Sequence, residues 1–135
     1  MELWQEQQVW KRVLGDPGRE ETLAQEAAEI LALYRYLGRA GIAPRVMARL
    51  QREQWQTISR LRGIRALGGK RMPAWKSVPP RGAPRKLLRR CCERVYTFGR
   101  ECAARAGTPE TGSVYEALAR RATEHYLILV GLLGR

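Results

Sequence analysis

The chain is built from long stretches in which apolar residues recur three and four positions apart, separated by segments rich in Gly and Pro. Residues at that spacing share one face of a helix, so the pattern predicts amphipathic helices. Residues 3–14 place Leu3, Trp4, Trp10, Val13 and Leu14 on one such face, and Gly15, Asp16, Pro17 and Gly18 interrupt it. Asp16 suits an N-cap with Pro17 in the first turn of a longer helix. That helix turns Leu23, Ala27, Ile30, Leu31, Tyr34 and Leu37 inward and ends at Gly38, with Gly41 in the following turn. Pro44 opens a second helix, which Gly68 and Gly69 stop after Leu67; its inward stripe is Met47, Leu50, Glu53, Thr57, Leu61 and Ile64. A third runs from about 85 to 106, with Leu88, Cys91, Val95, Phe98 and Cys102 inward. In the last, Ser113 and Glu116 form an S-x-x-E capping box. It runs to Leu133 with Val114, Leu118, Ala122, His125, Leu129 and Leu132 inward.

Residues 68–84 carry Pro73, Pro79, Pro80 and Pro84 and read as loop. Extended, such a segment reaches about 55 Å, while a helix of about 22 residues is about 33 Å long. The loop can therefore run the length of a helical bundle. Runs of alternating β-branched residues and Asn-Gly turns are absent, so no strand is expected. The fold class implied is all-α: a four-helix bundle over residues 16–135, preceded by a short amphipathic segment over 1–15, with a long crossover between helices two and three.

Chemistry is to be sought where polar residues interrupt the inward stripes. Glu53 on the second helix and His125 on the fourth do so, both near mid-helix, where bundles hold metals and cofactors. Two readings stand side by side: ligands of a metal inside the bundle, or a buried Glu–His pair. If His125 is a vestige, His125→Leu should be tolerated or stabilising; if it is a ligand, the change should abolish metal uptake. Nucleotide-binding glycine motifs and the G-x-S-x-G nucleophile elbow do not occur, and with one His in the chain a nucleophile–His site would need His125 itself. Cys91, Cys92 and Cys102 lack metal-finger spacing, and about 16 Å of helix axis separates the first from the last, so they read as small buried residues.

The stretch from Leu50 through Glu53 and Gln56 to Ile64 resembles the second helix of small ferritin-like, rubrerythrin-type bundles, where an E-x-x-H supplies ligands. The stretch from Tyr115 through Ala122 and His125 to Leu129 resembles their fourth helix. Such families hold two metals with Glu from two helices and Glu-x-x-His from the other two. Glu53 matches a family Glu and His125 a family His. Gln56 stands where the His belongs, Ala122 where its Glu belongs, and Ala27 on the first helix where a Glu is expected. The resemblance covers about residues 20–134. It implies a ferritin-like bundle that has lost its di-iron site and serves binding or assembly rather than catalysis. No cofactor is then expected. Iron or manganese would be the cofactor if the site were retained, with Glu53 and His125 among its ligands and another subunit completing it.

Charge adds a further expectation. The 135 residues carry a net charge of +12, distributed unevenly: residues 1–34 are net −4, residues 35–105 net +16, and the remainder neutral. Arg supplies 21 of the 25 cations, which base composition of the coding sequence alone can produce. Lys70, Arg71, Lys76, Arg81, Arg85, Lys86, Arg89 and Arg90 form the densest cluster, a candidate surface for nucleic acid or an acidic protein partner. A basic helical nucleic-acid-binding protein is therefore a rival reading. Trp4, Trp10, Trp55 and Trp75 suit cover of the bundle or contact with a second copy, so a homo-oligomer is a further expectation. Neither a signal peptide nor a membrane-spanning run is evident, and the chain reads as a cytoplasmic protein without membrane contact.

Overall fold

The structure, a computed structural model, describes residues 17–67 and 79–135, with side chains over 22–66 and 79–135. The 1–15 segment, the Asp16 cap, Lys70, Arg71, Lys76 and most of the 68–84 loop lie outside the described residues. Among the described residues there are four helices: α1 (Pro17–Arg39), α2 (Pro44–Leu67), α3 (Pro84–Ala104) and α4 (Gly112–Leu133). Among the described residues there is no strand, and no helix is long and apolar enough to cross a membrane.

The inward stripes form one core. Leu23, Ala27, Ile30, Tyr34 and Leu37 of α1 meet Met47, Leu50 and Leu61 of α2, Cys91, Val95, Phe98 and Cys102 of α3, and Leu118 and Leu129 of α4, all buried. Helix α1 packs on α2 and α3, and α4 packs on α3 and α2. The side-chain pairs fix the directions. Glu26 and Glu29 of α1 meet Glu101 and Arg94 of α3, and Glu53 and Gln56 of α2 meet His125 and Arg121 of α4, so numbers that rise along one helix fall along its neighbour. Each adjacent pair runs antiparallel, so α2 and α3 lie on one diagonal and point the same way.

Glycine sets two of the close approaches. At Gly38, still helical, a Cβ would sit 3.2 Å from the Met47 Cβ, so the residue lets α1 and α2 come together rather than ending the helix. The reversal belongs to Gly41, at φ +87°. At Gly112 a Cβ would lie 2.2 Å from the Ala106 carbonyl oxygen. This tight turn starts α4 two residues earlier than its capping box suggests, with Thr111 as N-cap and no side-chain cap bond. Ser113 is therefore an exposed residue inside the helix. Glu116 pairs forward with Arg120 at 3.3 Å instead of reaching back to a cap.

Candidate functional site

Three helices bring one polar chain into the core. His125, 1% exposed, projects from α4 between Tyr34 of α1 and Glu53 of α2. The Tyr34 hydroxyl lies 2.9 Å from His125 Nδ1, and His125 Nε2 lies 3.3 Å from Glu53 Oε1. Arg49, one turn before Glu53, donates its Nε–H to Oε2 at 3.2 Å. The sequence singled out Glu53 and His125, and the fold joins them directly. Tyr34 and Arg49 complete the chain and were not singled out, Tyr34 because a tyrosine on an apolar stripe reads as core.

The protonation states follow from surroundings. Burial pushes the His125 pKa down, and the Arg121 cation adds to this; together they outweigh the upward pull of Glu53. The ring is therefore neutral near pH 7. Burial pushes Glu53 up, but the hydrogen bonds from His125 and Arg49 more than offset it, and its pKa falls below the usual carboxylate value. Burial raises the Tyr34 hydroxyl well above its ordinary value, so it stays protonated. One assignment satisfies every atom: Tyr34 O–H donates to Nδ1, and Nε2–H donates to the Glu53 carboxylate. Both ring nitrogens and both carboxylate oxygens are then engaged within the protein.

Among the described residues, the positions where the family pattern places further ligands hold none. Ala27, where the family pattern expects a Glu, is fully buried and gives its carbonyl oxygen to Gln54 Nε2 at 2.9 Å. Gln56 is exposed and accepts from Arg121 at 2.5 Å, while the same Arg121 nitrogen lies 3.4 Å from the Glu53 carbonyl oxygen. Ala122 and Val95 are buried apolar residues. Among the described residues no three His, Cys, Asp or Glu side chains converge as a metal-binding group. One carboxylate and one imidazole, each already bonded, do not fit a centre of two divalent cations, which needs several carboxylates to neutralise it. Instead the arrangement ties α1, α2 and α4 together at one register, since a satisfied buried network is specific about its partners.

Arg81, Lys86, Arg89 and Arg90 are exposed along the start of α3 and the residues before it. Arg85 instead closes the C-terminal end of α4, donating to the Leu133 carbonyl at 2.7 Å and to that of Arg135 at 3.4 Å. All three cysteines are free and buried. Burial raises their thiols, that of Cys102 up to about 12, which leaves them unreactive at neutral pH. A second titratable cluster lies across α1 and α3. Burial and the Glu101 and Glu29 carboxylates raise Glu26 to about 7, against the lowering effect of Arg94.

Comparison with protein-family models, with curated proteins and with solved structures gives no match.

Proposed function

We propose that the chain is a ferritin-like bundle whose metal site has become a structural polar chain, and that it serves binding or assembly rather than catalysis. The observation that carries this reading is the closed hydrogen bonding at its centre. Glu53 and His125, the two residues that match family ligands, spend their lone pairs and protons on each other, on Tyr34 and on Arg49. Topology lends support. Helices α2 and α3 point the same way on one diagonal, which calls for a connection along the bundle's length. The 16 residues between Leu67 and Pro84 reach about 53 Å, against about 36 Å for the 24 residues of α2. Association of copies belongs to the same reading. Tyr96, Leu127 and Val130 are 49%, 62% and 42% exposed along the outer side of α3 and α4, an apolar ridge that a second copy would cover.

Metal content tests the reading directly. Protein purified without chelator, incubated with Fe(II), Mn(II) or Zn(II), desalted and analysed by plasma mass spectrometry should hold less than about 0.1 equivalent per chain. About two equivalents, lost in Glu53→Ala, would overturn it. Sedimentation velocity tests the association: the native chain should be larger than a monomer, and Leu127→Glu should return it to one.

A further inference from the structure

The outer face of α2 carries a pattern that the polar chain does not use. Positions 45, 48, 52, 55, 59, 62 and 66 are spaced alternately by three and four and share one side of the helix. They read Arg, Ala, Arg, Trp, Ser, Arg, Ala, and all are exposed. Trp55, 43% exposed, is the one large apolar side chain on this stripe. Arg35 of α1 stacks over it with its guanidinium carbon 5.4 Å from the ring centroid. The stripe holds no carboxylate. The single acidic residue of α2, Glu53, is turned toward His125 and Arg49. Arg45, Arg52 and Arg62 have no ion-pair partner among the described residues.

We propose that this face binds single-stranded nucleic acid, with a base stacked at Trp55 and flanking phosphates held by Arg45, Arg52 and Arg62. The inference rests on the reading of the chain as a binding protein. Several observations choose this partner over others of like charge. A membrane surface takes helices whose buried side carries several large apolar residues, and here Trp55 stands among Ala, Ser and Arg. A stripe of three unpaired guanidinium groups favours phosphate, which Arg meets with two parallel hydrogen bonds. An exposed indole flanked by cations is the arrangement on which unpaired bases stack, whatever their sequence. In a duplex the base faces are stacked on each other and closed to the ring. The spacing suits a short strand: Arg52 and Arg62 lie about 15 Å apart along the axis, with Trp55 between them.

The test uses the full chain and a fluorescein-labelled twelve-nucleotide oligothymidine in about 50 mM salt, read by anisotropy. The native protein should bind it more tightly than the same sequence annealed as a duplex. Trp55→Ala should weaken binding about tenfold, and Trp55→Phe, which keeps an aromatic face, should retain most of it. Arg52→Glu with Arg62→Glu should weaken it further and flatten the salt dependence by about 1.4 in slope. All these side chains are exposed, and circular dichroism of each variant checks that it folds. The proposal fails if the native chain does not bind, if Trp55→Ala binds as the native chain does, or if the duplex or phosphatidylserine vesicles are preferred. It fails equally if Arg89→Glu with Arg90→Glu is more damaging, which would move the site to α3. Metal analysis of the same preparation separates the two readings. A metal-free chain that ignores the strand overturns this inference alone, whereas a metal-loaded chain that binds it overturns the proposed function alone.

Discussion

Glu26 and Glu53 occupy equivalent seams of the bundle, one between α1 and α3, the other between α2 and α4, and they end in opposite states. Burial raises the pKa of both. At Glu53 two donors arrive, the His125 ring and the Arg49 guanidinium, and the carboxylate is held ionised. At Glu26 the nearest groups are other carboxylates, Glu101 and Glu29, and the one cation at hand, Arg94, is already paired with Glu29. A half-buried glutamate is thus a fixed anion or a proton carrier according to who faces it across the helix pair. Depth alone does not decide. The α2–α4 seam uses its charge to hold a register; the α1–α3 seam keeps a group that titrates near neutrality.

The change that should damage this arrangement most is His125→Leu. Leucine restores the volume but leaves the Tyr34 hydroxyl, 0% exposed, without its acceptor, and Glu53 without one of its two donors. An orphaned buried hydroxyl costs about 2 kcal/mol, or a fall of roughly 6 °C in Tm for a chain of this size. Adding Tyr34→Phe removes both polar partners and should recover most of the loss. A thermal-denaturation double-mutant cycle reads the coupling, and a double variant no more stable than His125→Leu alone would show that the two side chains do not act as a pair.

That expectation reverses the tolerance read from the sequence, and the reason marks what a sequence carries. The inward stripes were legible because burial follows helical period: Leu88, Cys91, Val95, Phe98 and Cys102 are all buried. Leu87 and Cys92 are buried beside them because α3 packs against two neighbours, α1 and α4, which widens its apolar side. Val114 and Leu132 are only half-buried, since they fall near the ends of α4. Glu53 and His125 stood out as polar breaks in apolar stripes. Tyr34 did not, because its ring satisfies the stripe while its hydroxyl needs a partner 91 residues away. Arg121 and Gln54 were equally silent: their bonds reach Gln56 and Ala27 on other helices, and only the packing register decides such meetings. The i, i+4 pair of Arg49 and Glu53 was the one clue to the site's closure present in the sequence itself.

A smaller effect is expected from Arg121→Ala, which cuts a bridge between α2 and α4. Its guanidinium bonds the Gln56 side chain and the Glu53 carbonyl, and its charge helps keep His125 neutral. Losing those bonds should cost about 1 kcal/mol. Removing the cation should also raise the His125 pKa. Because the chain has a single histidine, the imidazole resonances in an NMR titration report that group alone. The native midpoint should lie below 6.5, and that of Arg121→Ala above the native value. The linkage has a definite sign. A histidine depressed in the fold contributes stability that is present above pH 6.5 and is lost as the pH falls through its folded value. A native midpoint at or above 6.5 would show that Glu53, not burial, governs the ring.

The smallest effect, Glu26→Gln, carries the opposite sign and so separates the two seams. The unfolded carboxyl has a pKa of 4.5 and the folded one about 7, so between those values the native state binds the extra proton. The contribution of Glu26 to stability is present below pH 4.5 and is lost as pH rises through 7. Partial exposure screens the Glu26–Glu101 repulsion, and the gain from removing it should stay under about 1 kcal/mol. Glutamine keeps a hydrogen-bonding side chain and removes the charge, so the variant should match the native protein at pH 5 and exceed it at pH 8. Denaturant unfolding at the two pH values measures the difference. A variant that gains equally at both would mean that the Glu26 carboxyl does not change its protonation between them. The seam would then differ from that of Glu53 in packing alone, and the contrast between proton carrier and fixed anion would fall.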